Sequence, residues 1–189
     1  MPFQASRCAS LVLCGWVMIA APSSARAESF KHQITGLFAP DREADLREAL
    51  RDIPTIKIVR IDFATAEGTF EYDPKQAFPG AKPQQILEHF DSLVKNATHH
   101  TFGIKPLSQT PPEKLTPIEI AVVGLDCKAC SLAAYEAIFK IDGVERATAS
   151  FREGRVTALI DPTRTDRVAL ETALVNRGVT LKKSPNLKK

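Results

Sequence analysis

An α+β chain made of two tandem β-α-β-β-α-β sandwiches is what this sequence predicts, and three observations carry the prediction. The apolar pattern repeats at a constant offset of 88 residues. A proline-rich stretch, "KPLSQTPPEKLTP", stands between the two copies. Each copy alternates short strand-like runs with helical stripes. In the repeat register, Gly36 and Leu37 fall on Gly124 and Leu125. Leu46, Ala49, Leu50 and Ile53 fall on Ala134, Ala137, Ile138 and Ile141. Ile56 meets Val144, Phe63 meets Phe151, and Asp73-Pro74 recurs as Asp161-Pro162. Single apolar matches are cheap, but one register kept over about forty residues without a gap points to duplication.

In the first copy the order reads strand 30–35, helix 41–53, strands 56–63 and 68–73, helix 83–95 and strand 101–105. The second helix has its apolar stripe at Ile86, Leu87, Phe90, Leu93 and Val94. Residues 106–117 form the linker, because their prolines interrupt the periodicity. The second copy covers 118–183. It opens on "PIEIAVVG", with Ile118, Ile120 and Val122 on one side of a strand. A helix at 129–141 carries its stripe at 134, 137, 138 and 141, and Gly143 stops it. "VERATASFREGRVTALID" gives two strands about a turn near "REG". Thr165 or Asp166 caps the helix that ends before Gly178, and "VTLK" closes the sheet. This order is the split βαβ, or ferredoxin-like, sandwich, with both helices on one face.

Residues 1–27 read as an export signal: Arg7 in a basic start, the apolar run "CASLVLCGWVMIAAP", and Ala25-Arg26-Ala27 at the cleavage point. The run is short for a membrane span, and a lipid-attachment reading of Cys14 in "LVLCG" fits poorly because Leu13 stands where a small residue belongs. Cleavage after Ala27 leaves a periplasmic or secreted chain of residues 28–189. The signal takes Cys8 and Cys14 with it and lowers the formal charge from +3 to +1 through loss of Arg7 and Arg26. A nearly neutral chain does not suit nucleic acid, and the basic tail at 184–189 reads as a solvated end.

The two remaining cysteines, Cys127 and Cys130, stand three apart in "VGLDCKACS", with Cys127 in the loop after a strand and Cys130 in the first helical turn. Free amides and the positive helix end favour thiolate there. Two chemistries are open: the thiolates hold a soft metal, or the pair works as a dithiol and disulfide. Asp126 adds a hard oxygen that a divalent ion such as Zn(II) can use, or it caps the helix. Lys128 either offsets thiolate charge or faces water. In the first copy, Ala39 and Arg42 occupy the cysteine positions, so "GLFAPDREAD" holds no thiol. That half could position the other half, contact a partner, or serve as a spacer.

"GLDCKAC" at a strand-to-helix turn, followed by "IDGVERATASF", an "EG" turn, "ALID" and "ALVNRG", resembles the heavy-metal-associated domain of copper chaperones, mercuric-ion-binding proteins and metal-exporting P-type ATPases. The likeness covers 117–183 directly and 30–105 through the repeat. It implies a heavy-metal ion, Cu(I), Zn(II)/Cd(II) or Hg(II), held by Cys127 and Cys130. The "GMDCxxC" form of zinc, cadmium and lead exporters adds Asp126. It also implies a metal transporter or acceptor protein as partner, and no catalysis. Leu125 stands where that family prefers methionine, and Val179 where an aromatic is frequent. Three functions follow: metal sequestration or transfer, protein contact with residual or disulfide-linked cysteines, and thiol–disulfide exchange. The last lacks the preceding aromatic of thioredoxin motifs. His99 and His100 read as surface residues near the last strand of the first copy, His32 as partly buried, and His89 as facing water. The chain has no phosphate loop, Gly-x-Ser-x-Gly elbow or His-Glu-x-x-His motif.

Overall fold

The computed structural model describes residues 27–182. Residues 1–26, most of the segment read as an export signal, and the basic tail lie outside the described residues. The first sandwich comprises β1 (Glu28–Thr35), α1 (Arg42–Leu50), β2 (Ile56–Asp62), β3 (Glu67–Tyr72), a single-turn α2 (Pro74–Ala77), α3 (Ile86–Ala97) and β4 (Gly103–Lys105). The second comprises β5 (Thr116–Val123), α4 (Lys128–Phe139), β6 (Val144–Ser150), β7 (Arg155–Ile160), α5 (Arg167–Asn176) and β8 (Thr180–Leu181). Their antiparallel sheets have the equivalent orders β2-β3-β1-β4 and β6-β7-β5-β8.

The repeat holds at the level of hydrogen-bond register. Adding 88 maps the ends of β1, β2 and β3 onto those of β5, β6 and β7, residue for residue. Ile56 pairs with Tyr72 as Val144 pairs with Ile160; each strand pair then carries one bulge, between Ile58 and Arg60 in the first copy and two positions earlier, between Val144 and Arg146, in the second. The last strands break the offset: Ile104 pairs with Ile34 and Leu181 with Val122, so the shift there is 77. The extra residues of the first copy include α2 and a 3-10 turn at Pro83–Gln85, which the apolar pattern did not separate from the helix that follows. Between β4 and β5 the linker holds one 3-10 turn, Pro112–Lys114. Thr116 and Pro117, which composition assigned to the linker, pair in β5 with Ile160 and Leu159.

Each sheet buries one face under its helices. Leu46, Phe70, Phe90 and Val94 are fully enclosed in the first core, and Ala134, Ile138, Leu170 and Leu174 in the second. Asp166 caps α5 by accepting from the Ala169 amide, and Gly143 and Gly178 follow α4 and α5 with positive φ. His32 lies among Phe30, Phe70, Tyr72 and Phe90, its Nε2 3.1 Å from the Tyr72 hydroxyl. Burial lowers the His32 pKa and pushes Tyr72 up to about 12. His89 is exposed. His99 and His100 are exposed too, in a left-handed turn between α3 and β4, with φ of 49° and 61°.

The sandwiches are docked on each other. The Gly36 amide donates to the buried Tyr135 hydroxyl at 2.8 Å. The Ala149 amide, on the outer edge of β6, donates to the Phe38 carbonyl at 3.0 Å, so a first-domain loop covers part of an otherwise open strand edge. Gln33 Nε2 donates to the Glu145 carbonyl at 2.7 Å, and Arg146 Nη2 to the Phe63 carbonyl at 2.6 Å. Phe38 belongs to the second core, not the first.

Two outcomes follow. Leu170→Ala removes a fully buried side chain and lowers unfolding free energy by about 3 kcal/mol, read as a lower urea midpoint with unchanged slope. His32, depressed when folded and near 6.5 when unfolded, makes the unfolded chain take up its proton first as pH falls. Its contribution is therefore complete above pH 6.5 and declines below it. Scanning calorimetry at pH 7.5 and 5.5 gives a smaller loss of Tm for His32→Phe than for the wild type.

Candidate metal centre

The turn from β5 into α4 places the cysteines. Gly124 takes φ +82°, the left-handed region that glycine enters freely, and Gly36 takes φ +84° at the equivalent bend. Leu125 then drops into the core, 5 % exposed, filling the position beneath the loop. Cys127 is the N-cap of α4: its backbone is extended and its sulfur accepts from the Cys130 amide at 3.3 Å. The alternative in which Asp126 caps this helix is therefore replaced by a sulfur cap, and Asp126 faces solvent.

The two sulfurs lie on the same side, 2.9 Å apart, with Cys127 exposed and Cys130 half-buried. The separation exceeds a disulfide bond of about 2.05 Å. It falls short of the roughly 3.8 Å that two 2.3 Å metal–sulfur bonds at a tetrahedral angle require. Disulfide closure therefore needs the sulfurs to approach, and metal binding needs them to part. The hydrogen bond from the Cys130 thiol, then that from the Cys130 amide, holds Cys127 below the ordinary thiol range, against a small opposing effect of the Asp126 carboxylate. Donating that bond pushes Cys130 up. Cys127 is thus the more easily deprotonated sulfur of the pair and Cys130 the less easily deprotonated.

The donor set gathered by the fold is this sulfur pair. Among the described residues no group of three or more His, Cys, Asp or Glu is arranged to hold an ion, so the structure does not bring Asp126 or the histidines together with the cysteines.

Lys128 does not simply face water. Its Nζ lies 3.0 Å from Asp41 Oδ2 and 3.7 Å from Asp45 Oδ2, both on the first domain. The hydrogen bond holds the Asp41 carboxyl below its usual value and raises Lys128. Arg42, which replaces Cys130 in the repeat register, pairs with Asp45. Its guanidinium lies 4.2 Å from the Phe102 ring centre and 5.2 Å from that of Phe38. A fixed organic cation therefore occupies the loop that has lost its thiols. Sequence reading missed Phe38 and Lys128. The one signal available was an aromatic at position 38, where the repeat has Asp126.

Neither a protein-family model nor a curated protein matches the chain. Solved structures do. The CopZ metallochaperone is 24 % identical, covering 35 % of this chain and all of that one, with a TM-score of 0.35. Oxidized MerP from Ralstonia metallidurans is 24 % identical, covering 36 % of this chain and 94 % of that one, with a TM-score of 0.35. The N-terminal soluble domains of Bacillus subtilis CopA are 20 % identical, covering 86 % of this chain and 97 % of that one, with a TM-score of 0.36.

Limited alkylation of the reduced chain at pH 7.5 labels Cys127 before Cys130, as peptide mass spectrometry will show; equal labelling contradicts the sulfur-cap assignment. In fold, the chain is two tandem ferredoxin-like α+β domains.

Proposed function

We propose that this chain is an exported, non-catalytic protein that binds one thiophilic metal ion through Cys127 and Cys130 and sequesters it or passes it to a transporter or acceptor protein. The observation that carries the reading is the sulfur pair: two thiols on one face, 2.9 Å apart, accessible, at the start of a helix. An incoming cation displaces the shared proton, and the exposed α4 amides and helix dipole stabilise the anionic sulfurs that remain. A linear two-sulfur arrangement suits Cu(I) or Hg(II). Zn(II) or Cd(II) asks for further donors, and Asp126, one residue before Cys127, is the carboxylate within the same loop. Export rests on the sequence of residues 1–27, and among the described residues no helix is long and apolar enough to cross a membrane.

The short sulfur separation also favours a second reading, closure of the pair into a disulfide, with exchange as the function. Insulin reduction separates the two, since sustained turnover belongs only to the oxidoreductase.

Anaerobic competition titration of the reduced protein tests the main reading. One Cu(I) per chain binds the wild type, and Cys127→Ser or Cys130→Ser weakens it at least about a hundredfold, since one thiolate of two is lost. Asp126→Ala leaves Cu(I) unchanged and weakens Zn(II) about tenfold. Equal Cu(I) affinity in the wild type and the double serine variant defeats the proposal.

A further inference from the structure

We infer that the cysteine-less loop of the first domain positions the metal loop of the second, with Asp41 and Asp45 holding Lys128 and thereby the first turn of α4 that carries the sulfur pair. The inference rests on the metal-binding reading above, which did not involve the first domain.

The placement of Lys128 within α4 supports it. Lys128, Tyr135 and Phe139 recur at spacings of seven and four, one stripe of a helix. All three meet first-domain atoms. Lys128 meets Asp41 and Asp45, Tyr135 accepts from the Gly36 amide and lies 5.9 Å from the Phe38 ring, and Phe139 lies under the Lys105 ammonium at 4.4 Å. The helix is thus held at its start, middle and end by the neighbouring domain. The holding loop is itself fixed, because Arg42 is placed against Phe38 and Phe102 and paired with Asp45. Asp41 is the N-cap residue of α1, yet its side chain makes no cap hydrogen bond and reaches Lys128 instead. The loop that carries thiols in the second domain has become, in the first, the part that grips its counterpart.

The chemical consequence concerns ion release. Cys130 rides on α4, while Cys127 precedes it and must swing to let the sulfurs part. With Lys128 held, that swing is confined to the Cys127 side chain and the helix start cannot unwind around the ion. Losing the hold lets the turn fray and the ion leave faster. A purely electrostatic role also speeds transfer to an anionic acceptor, but it leaves the protection of the first-turn amides of α4 unchanged.

The test loads the full reduced chain with Cu(I) and follows transfer to bathocuproine disulfonate. Asp41→Asn is expected to release about threefold faster at low salt, the scale of one exposed ion pair. At 1 M NaCl, where the screening length is about 3 Å, the difference disappears. The exchanged pair Asp41→Lys with Lys128→Asp restores the wild-type rate. Unchanged or slower release by Asp41→Asn, or an exchanged pair no better than the single variant, overturns the inference. Hydrogen exchange on the metal-free chain reads the same hold independently: the Cys130 and Ser131 amides exchange faster in Asp41→Asn, and unchanged exchange also overturns it. A wild type that retains no Cu(I) defeats the metal reading alone, and the exchange arm then decides the positioning role.

Discussion

The Cys127 sulfur stands where helices more often place a hydroxyl or carboxylate oxygen, accepting the amide of Cys130 at the start of α4. That hydrogen bond makes the local backbone and the chemistry one problem. It fixes the rotation of Cys127, brings its sulfur to Cys130 and favours charge on the more exposed of the two thiols. The left-handed bend at Gly124 and the buried Leu125 are what allow it, since together they turn the chain from β5 into the helix without exposing apolar surface.

The same bend exists at Gly36 and Leu37, but the loop after it has diverged in function. Replacing two thiols by Ala39 and Arg42 removes soft donors, and the guanidinium beside Phe38 and Phe102 supplies a cation that needs no loading. With Phe38 in the second core and Asp41 on Lys128, the first domain has a fixed place against its neighbour. Duplication provides the geometry for this: two equivalent sandwiches present equivalent loops, and one of them is free to change.

Strand positions were legible in the sequence because period-two burial and the offset of 88 reinforced each other; β1 to β3 and β5 to β7 follow from that alone. Helix ends were legible where glycine or an aspartate cap marked them, as at Gly143, Asp166 and Gly178. The cysteine positions, loop and first turn, were equally readable from the strand-to-helix transition. The single-turn α2 was not, since "DPKQAFPG" is too short for a periodic signal. Nor were the roles of Phe38 and Lys128, because each depends on a partner about ninety residues away. Asp126 shows the limit within one loop: an acidic residue ahead of a helix reads as a cap, yet the sulfur one position later takes the amide.

X-ray absorption at the metal edge of the reduced, Cu(I)-loaded chain measures the central claim directly. The account predicts a coordination shell containing two sulfurs. A shell of nitrogen and oxygen alone, with both thiols still free to alkylation, would contradict it.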